Sequence, residues 1–179
     1  MVSFVSITDK NHPLFEASWL CYDAAFPPEE KRNYEKHSLL FTIPEYHLEG
    51  VLSEGNLIGF ITWWKLGEWI YIEHFATNEL VRGKGFGQKI LEKFLSGHTG
   101  KIVLEVELPE DDLSHRRIAF YERMGFHLNR HPYTQPPLQE GLPEIPLFTM
   151  TFPDPVSLSE QEEFIRLHHP TIYFNAALK

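Results

Sequence analysis

The spacing of hydrophobic and polar positions changes along the chain, and each change marks an element. Val2–Ile7 (VSFVSI) is short, apolar and β-branched, which predicts a first strand. The period then lengthens: Leu14, Phe15, Trp19, Leu20 and Ala24 recur at helical spacing behind Asn11-His12-Pro13, where a cap residue and a first-turn proline open a helix. Phe26-Pro27-Pro28 breaks that helix, and the charged run Glu29–His37 predicts a second. Tyr46–Ser53 and Asn56–Leu66 are rich in Val, Ile, Phe and Trp and meet at Glu54-Gly55-Asn56, a hairpin signature. Gly67-Glu68 turns the chain again into Trp69–Thr77.

After the glycine-rich stretch Arg82–Gly87, the residues Phe86, Ile90, Leu91, Phe94 and Leu95 form one helical stripe, which Gly97–Gly100 ends. Lys101–Glu107 (KIVLEVE) alternates as a strand does. Asp111 or Asp112 caps a helix running to Met124, with Gly125 where helices close in a left-handed turn. Phe126–Tyr133 predicts a strand, Thr134–Pro146 with its four prolines a loop, Leu147–Phe152 a last strand and Ser157–His168 a last helix. The strand–helix–strand unit in Trp69–Glu107 requires a parallel pair with a right-handed crossover, while its neighbours read as antiparallel. The fold class is therefore α/β (α+β): a mixed, mostly antiparallel sheet with a central parallel strand pair and helices on both faces. Residues 1–179 read as one domain, with a core over about 2–152 and a C-terminal helical extension over 153–179.

Composition narrows the function. The 25 acidic and 16 basic residues give a formal charge of −9, which argues against nucleic acid as a partner and suits a cationic substrate such as an amine. Cys21 is the only cysteine, so no intrachain disulfide and no cysteine-built metal site is expected, and a lone thiol fits a reducing cytoplasm. The start, MVSFVSITDKNH, lacks a basic region followed by a long apolar run, and no apolar run approaches the ~20 residues of a membrane span. A cytoplasmic protein without membrane contact is the expectation. The ten histidines show no ligand spacing, so no metal is expected.

The most informative stretch is WIYIEHFATNELVRGKGFGQKILEKFL (Trp69–Leu95). A strand feeds a loop holding Gly83, Gly85 and Gly87, and the loop opens directly into an amphipathic helix. Glycines let a ligand approach the backbone, and the first helical turn offers unpaired N–H donors to an anion such as a phosphate. Arg82 and Lys84 add positive charge. The spacing is neither G-x-G-x-x-G, since Gln88 stands where the third glycine belongs, nor G-x-x-x-x-G-K-[ST], which argues against dinucleotide and nucleoside-triphosphate ligands. A ligand-free structural turn is the plainer alternative.

Arg82-Gly83-Lys84-Gly85-Phe86-Gly87 resembles the [QR]-x-x-G-x-[GA] signature of the GNAT superfamily of acyl-CoA N-acyltransferases, and AFYERMGF (Ala119–Phe126) is similar to that family's next motif. The resemblance covers about Val2–Phe152. It implies a coenzyme A pyrophosphate held on the loop, from Arg82, Gly83, Lys84, Gly85, Phe86 and Gly87 to Gln88. The pantetheine arm would lie along Phe75, Ala76 and Thr77, where a bulge splays the fourth and fifth strands and frees a donor for the thioester oxygen. It also implies Tyr121 as the general acid that protonates the departing thiolate; a phenol with a pKa of about 10 stays protonated near neutral pH.

The base that deprotonates the amine is sought among strand carboxylates, which are costly to bury without a purpose. Glu73 is the first choice and Glu105 the second, with a water relay allowed and His74 and Glu107 as further candidates. The acceptor side falls to Trp19, Tyr22, Phe26 and the loop His131–Pro146 with Tyr133, Gln135 and Pro136-Pro137, beside the acidic Glu29, Glu30 and Glu140. Two departures from the family pattern stand out: Ser114 replaces an Asn seven residues before the tyrosine, and Arg117 replaces a small residue four before it. The implied function is N-acetylation of a primary amine, small-molecule or peptide, from acetyl-CoA as cosubstrate by direct attack in a ternary complex. The alternative is an acyl-CoA-binding sensor or assembly module without turnover. A homodimer is compatible with the amphipathic segment Glu162–Tyr173.

Overall fold

The computed structural model describes residues 1–178. Seven strands make one sheet in the order β1 (Val2–Ile7), β2 (Tyr46–Ser53), β3 (Asn56–Leu66), β4 (Trp69–Thr77), β5 (Lys101–Glu107), β7 (Ile145–Phe152) and β6 (His127–Gln135). Only β4 and β5 run parallel; the other neighbours are antiparallel. Five α-helices accompany them: α1 (Phe15–Ala25), α2 (Tyr34–Leu39), α3 (Phe86–Gly97), α4 (Asp112–Arg123) and α5 (Leu158–Tyr173). This is the mixed sheet with a central parallel pair that the hydrophobic pattern implies, with helices on both faces.

Two apolar layers sandwich the sheet. On one face Phe15 and Tyr22 of α1 and Phe164 and Ile172 of α5 pack on Trp64, Tyr71 and Val103. On the other, Leu91 and Phe94 of α3 and Ile118 of α4 pack on Ile70, Ile102 and Met150. Each such side chain, fully buried, contributes roughly 1.5–3 kcal/mol of transfer free energy.

Strand bounds from β2 through β5 agree with the sequence pattern; boundaries elsewhere move. Asn11-His12-Pro13 forms a turn rather than the start of α1, because His12 Nδ1 accepts the Leu14 N–H at 3.2 Å and the helix begins at Phe15. The predicted helix Glu29–His37 splits into a 3-10 turn at Pro28–Glu30 and the shorter α2, capped by Asn33. Between them the chain stays extended because Arg32 is drawn into the core, with its N–H donating to the Tyr22 hydroxyl at 2.8 Å. β6 runs on to Gln135 and β7 starts at Ile145, which shortens the proline-rich loop to 136–144. Finally, α5 passes through Pro170 to Tyr173 instead of ending at His168. Ile172 is fully buried and its carbonyl accepts from Arg32 Nη2 at 3.0 Å, so tertiary contacts hold the last turn despite the proline.

One irregularity positions the site. Between β3 and β4, Thr62 faces His74 but Trp63 faces Ile72, which leaves Glu73 as an extra residue on β4. Such a bulge breaks the strict alternation of side chains. Glu73 and His74 therefore both join Tyr71 on the α1/α5 face, while Ile70, Ile72 and Phe75 point to α3 and α4. The β4–β5 ladder runs only from Trp69/Lys101 to Ile72/Leu104. Beyond the bulge the two strands part.

Candidate active site

A cavity of about 560 Å³ fills the opening, walled by Glu73–Thr77 of β4 and Leu104–Glu107 of β5. Arg116, Arg117 and Tyr121 of α4 reach it from one face of the sheet, and Phe26, Glu30 and Gln135 from the other. Arg82 and Gly87 bring the glycine loop to its edge.

The loop owes its shape to Gly83 and Gly85, both at φ +75°, and Gly85 serves as the N-cap of α3. Left-handed backbone of this kind is cheap only for glycine. Arg82 and Lys84 spend their own N–H groups within the loop, on the carbonyls of Glu79 at 3.2 Å and Val81 at 3.3 Å. The free donors are instead the first-turn amides of α3, from Phe86 through Gln88, which have no intrahelical acceptor and sit at the positive end of the helix dipole. That end of the cavity suits a phosphate anion. Of the residues implied for the coenzyme, Phe75, Ala76, Thr77, Arg82 and Gly87 line the cavity. Gly83, Lys84, Gly85 and Phe86 shape the turn behind it. The Gln88 side chain turns outward to Glu92, with Nε2 donating at 2.8 Å.

Two carboxylates face each other across the split in contrasting surroundings. Glu73, 1% exposed, accepts from Arg32 Nη1 at 2.6 Å and Trp64 Nε1 at 3.1 Å, with His74 Nδ1 at 3.7 Å. Burial, the largest single influence, pushes its carboxyl up, but Arg32 and His74 together outweigh it and hold the group at about 2. Among the described residues, Glu105 has no cationic partner of this kind. Its Oε2 accepts from Tyr71 at 2.9 Å and Gln135 Nε2 at 2.5 Å; its Oε1 accepts from the Tyr133 hydroxyl and from Tyr173 at 3.3 Å. Burial raises its pKa, and the hydroxyl and amide donors only partly offset that.

Tyr121 lines the cavity at 9% exposure, and burial pushes its phenol up to about 12, so it is protonated throughout the neutral range. His74 lies on the β4 wall, its Nε2–H donating to the Glu30 carbonyl at 2.7 Å. Glu107 pairs with Arg117. Ser114 is the third residue of α4 and closes a reciprocal capping box with Asp111, which explains its presence by helix geometry.

Of the acceptor-side residues, Phe26, Glu30 and Gln135 line the cavity and Tyr133 reaches it through Glu105. Trp19 and Tyr22 belong instead to the aromatic cluster around buried His37. Glu29, Glu140 and Pro136-Pro137 lie off the cavity wall. Arg32, Trp64, Tyr71 and Tyr173 complete the polar arrangement, and sequence pattern gives no signal for them: Arg32 sits in a charged run that looks like a solvated face. Among the described residues, no group of three or more His, Cys, Asp or Glu is placed to hold a metal ion. Nor is any described helix long and apolar enough to cross a membrane.

Residues 11–126 match the model of the acetyltransferase (GNAT) family. A protein assigned to the GNAT family of acetyltransferases from Bacteroides thetaiotaomicron superposes with a TM-score of 0.90 at 34% identity, over 96% of this chain and 98% of that one. A Vibrio cholerae spermidine N-acetyltransferase chimera gives a TM-score of 0.61 at 15% identity, over 84% and 93% of the two chains. An Arabidopsis thaliana protein in complex with the bisubstrate analogue CoA-Ac-MVNAL gives 0.60 at 18% identity, over 84% and 97%. A comparison with curated proteins gives no match. The glycine-capped α3, the split parallel pair and the family match agree: the chain belongs to the GNAT acetyltransferase family and is an acyltransferase.

Proposed function

We propose that this protein transfers an acetyl group from acetyl-CoA to a primary amine by direct attack in a ternary complex. The observation that carries the reading is the continuous cavity at the β4–β5 split, with phosphate-binding amides at one edge and buried carboxylates on its walls. Pyrophosphate would rest on the α3 amides beside Arg82, and the pantetheine arm along Phe75–Thr77. Tyr121 acts as general acid toward the leaving thiolate. Glu105 acts as base toward the incoming ammonium, directly or through one water, since its raised pKa suits a proton acceptor. Glu73 remains a residue of the wall, but its charge is committed to Arg32 and its low pKa makes it a poor base, which reverses the order expected from sequence.

The wall carboxylates Glu30 and Glu105 favour a cationic acceptor. A spermidine acetyltransferase and a protein bound to a peptide analogue share the fold, so both polyamine and peptide amines belong in the trial set. A cytoplasmic location and a single domain with a C-terminal helical extension belong to the same proposal, supported by the lone Cys21 and by α5 packing on the sheet. The test is calorimetric titration with acetyl-CoA, with ATP and NAD as controls, followed by assay of thiol release with amines. Saturable binding of acetyl-CoA alone, with amine-dependent thiol release, is the expected result. A folded protein free of copurified coenzyme that binds none would overturn the proposal.

A further inference from the structure

The acyl transfer proposed above sets a proton problem that the cavity does not solve alone. An alkylammonium acceptor carries two protons that must leave its nitrogen before an amide results. One passes to the thiolate through Tyr121 and is retained in the thiol product. The other reaches the base and must go on to solvent before the next turnover; Glu105 meets the cavity that coenzyme and acceptor fill, and its carboxylate is otherwise bonded to Tyr71, Tyr133, Tyr173 and Gln135.

A single chain of hydrogen bonds leads away from it. Tyr133 bonds Glu105 Oε1 with its hydroxyl, and the same hydroxyl lies 3.2 Å from His169 Nε2. His169 is on α5, beyond the segment that the family model matches, and keeps 6% of its surface exposed next to half-buried His168. Around the imidazole stand Tyr133 of β6 and Phe164, His168 and Tyr173 of α5, and among the described residues no hydrogen bond or ion pair joins it to a carboxylate or cation that would trap a proton. Burial, reinforced by His168, lowers the imidazole to about 4, so a proton arriving there is shed quickly.

We propose that Glu105, Tyr133 and His169 form the outlet by which the acceptor's proton leaves the site, and that α5 is thereby a working part of the enzyme. The step balances. Protonated Glu105 gives its proton to the Tyr133 oxygen as Tyr133 gives its own to His169 Nε2. The His169 imidazolium then releases its Nδ1 proton, and before the next turnover the ring returns from the Nε2–H to the Nδ1–H tautomer by exchange with solvent, so that one proton net reaches solvent for each ammonium acetylated. The inference rests on the acetyltransferase reading and on Glu105 as base.

The test uses the full chain with acetyl-CoA and whichever of butylamine, spermidine and a free-N-terminus tripeptide the wild type acetylates fastest. In His169→Gln the steady-state kcat should fall on the order of tenfold in non-buffering salt at neutral pH, with a much smaller loss in the first turnover, because ionised Glu105 is still present. Added imidazole should restore kcat, and the acetyl-CoA Kd and amine KM should stay within a factor of two (roughly, on the scale of a neutral change). Tyr133→Phe, which keeps the ring and removes the link, should show the same buffer rescue, and the double variant should be no slower than the slower single.

An unchanged kcat, an equal loss in first and later turnovers, or indifference to imidazole would overturn the outlet. Wild-type protein that acetylates none of the three amines would take the outlet down with its parent reading. Wild-type turnover with His169→Gln unaffected would sink the outlet alone.

Discussion

The two walls of the split carry one glutamate each and treat it in opposite ways. On β4, Glu73 is locked by a buried arginine and an indole, and its charge is permanent. On β5, Glu105 is surrounded by neutral donors and has its pKa raised by burial. Two carboxylates whose environments drive their pKa values apart are suited to two different tasks. The β4 glutamate holds structure together: Arg32 bridges it to the Ile172 carbonyl and so fastens α5 to the sheet. In the function proposed, the β5 glutamate is the one that changes protonation state during turnover.

The comparison breaks most sharply if the roles are exchanged by mutation. Glu105→Gln should lower kcat/KM by about 10²–10⁴-fold, the usual range for a positioned acid–base group. The wild-type profile should rise with pH through the elevated Glu105 pKa, and that limb should vanish in the variant. Glu73→Gln should keep the limb and lose mainly stability, because it leaves the Arg32 charge buried without a counter-ion. Steady-state rates between pH 5 and 9 decide it. A flattened profile in Glu73→Gln, with a normal one in Glu105→Gln, would reverse the assignment.

The next effect is on folding. Arg32→Met should cost roughly 3–5 kcal/mol, since removing one partner of a buried pair strands the other charge. Arg32→Met with Glu73→Gln removes both charges and should recover much of that loss. Urea midpoints of the two variants and the wild type measure it. A cost under about 1 kcal/mol for Arg32→Met would mean that the pair behaves as a surface one, and the description of the β4 wall would be wrong.

The same contrast explains what the sequence discloses. The glycine loop and the helix it opens were legible because they are local: Gly83, Gly85 and the apolar stripe of α3 lie within one short stretch, and their geometry follows from backbone conformation and period. The parallel pair was legible too, since a helix between two strands permits little else. The lock on Glu73 was not, for two reasons. Strand alternation at Glu73 is broken by one extra residue, and nothing in WIYIEHFAT marks where the extra residue falls. Its partner Arg32 is 41 positions away, inside a run that reads as solvated charge. Likewise the last turn of α5, with Ile172 and Tyr173, lies past Pro170, where local rules end a helix and only tertiary contact extends it.

The smallest expected effect tests whether the α1/α5 face is dry enough to sustain the contrast. His37 is 2% exposed, stacked on Phe15, with Nδ1 unpartnered, and burial, then the charges of His74 and Arg32, lower its pKa to about 3. His169 is lowered to about 4 by burial and His168. For a group whose folded pKa lies below its unfolded value near 6.5, the unfolded chain takes up the proton first. Stability is therefore full above about pH 6.5 and is lost as the pH falls toward these lowered values, at up to about 1.4 kcal/mol per pH unit for each histidine. Glu73 adds its own loss only below the ordinary carboxylate range near 4.5, and the raised Glu105 carboxyl contributes with the opposite sign, so each histidine is read from the difference in slope between wild type and its variant over pH 6 to 5. His37→Phe keeps an aromatic ring against Phe15 and should reduce the slope of unfolding free energy against pH in that window by up to about 1.4 kcal/mol per unit. Denaturant titrations at pH 7, 6 and 5 read the slope directly. If it is the same in the variant, His37 is already protonated in the folded state, water and charge reach the α1 side of the sheet, and the Arg32–Glu73 lock is weaker than its burial suggests.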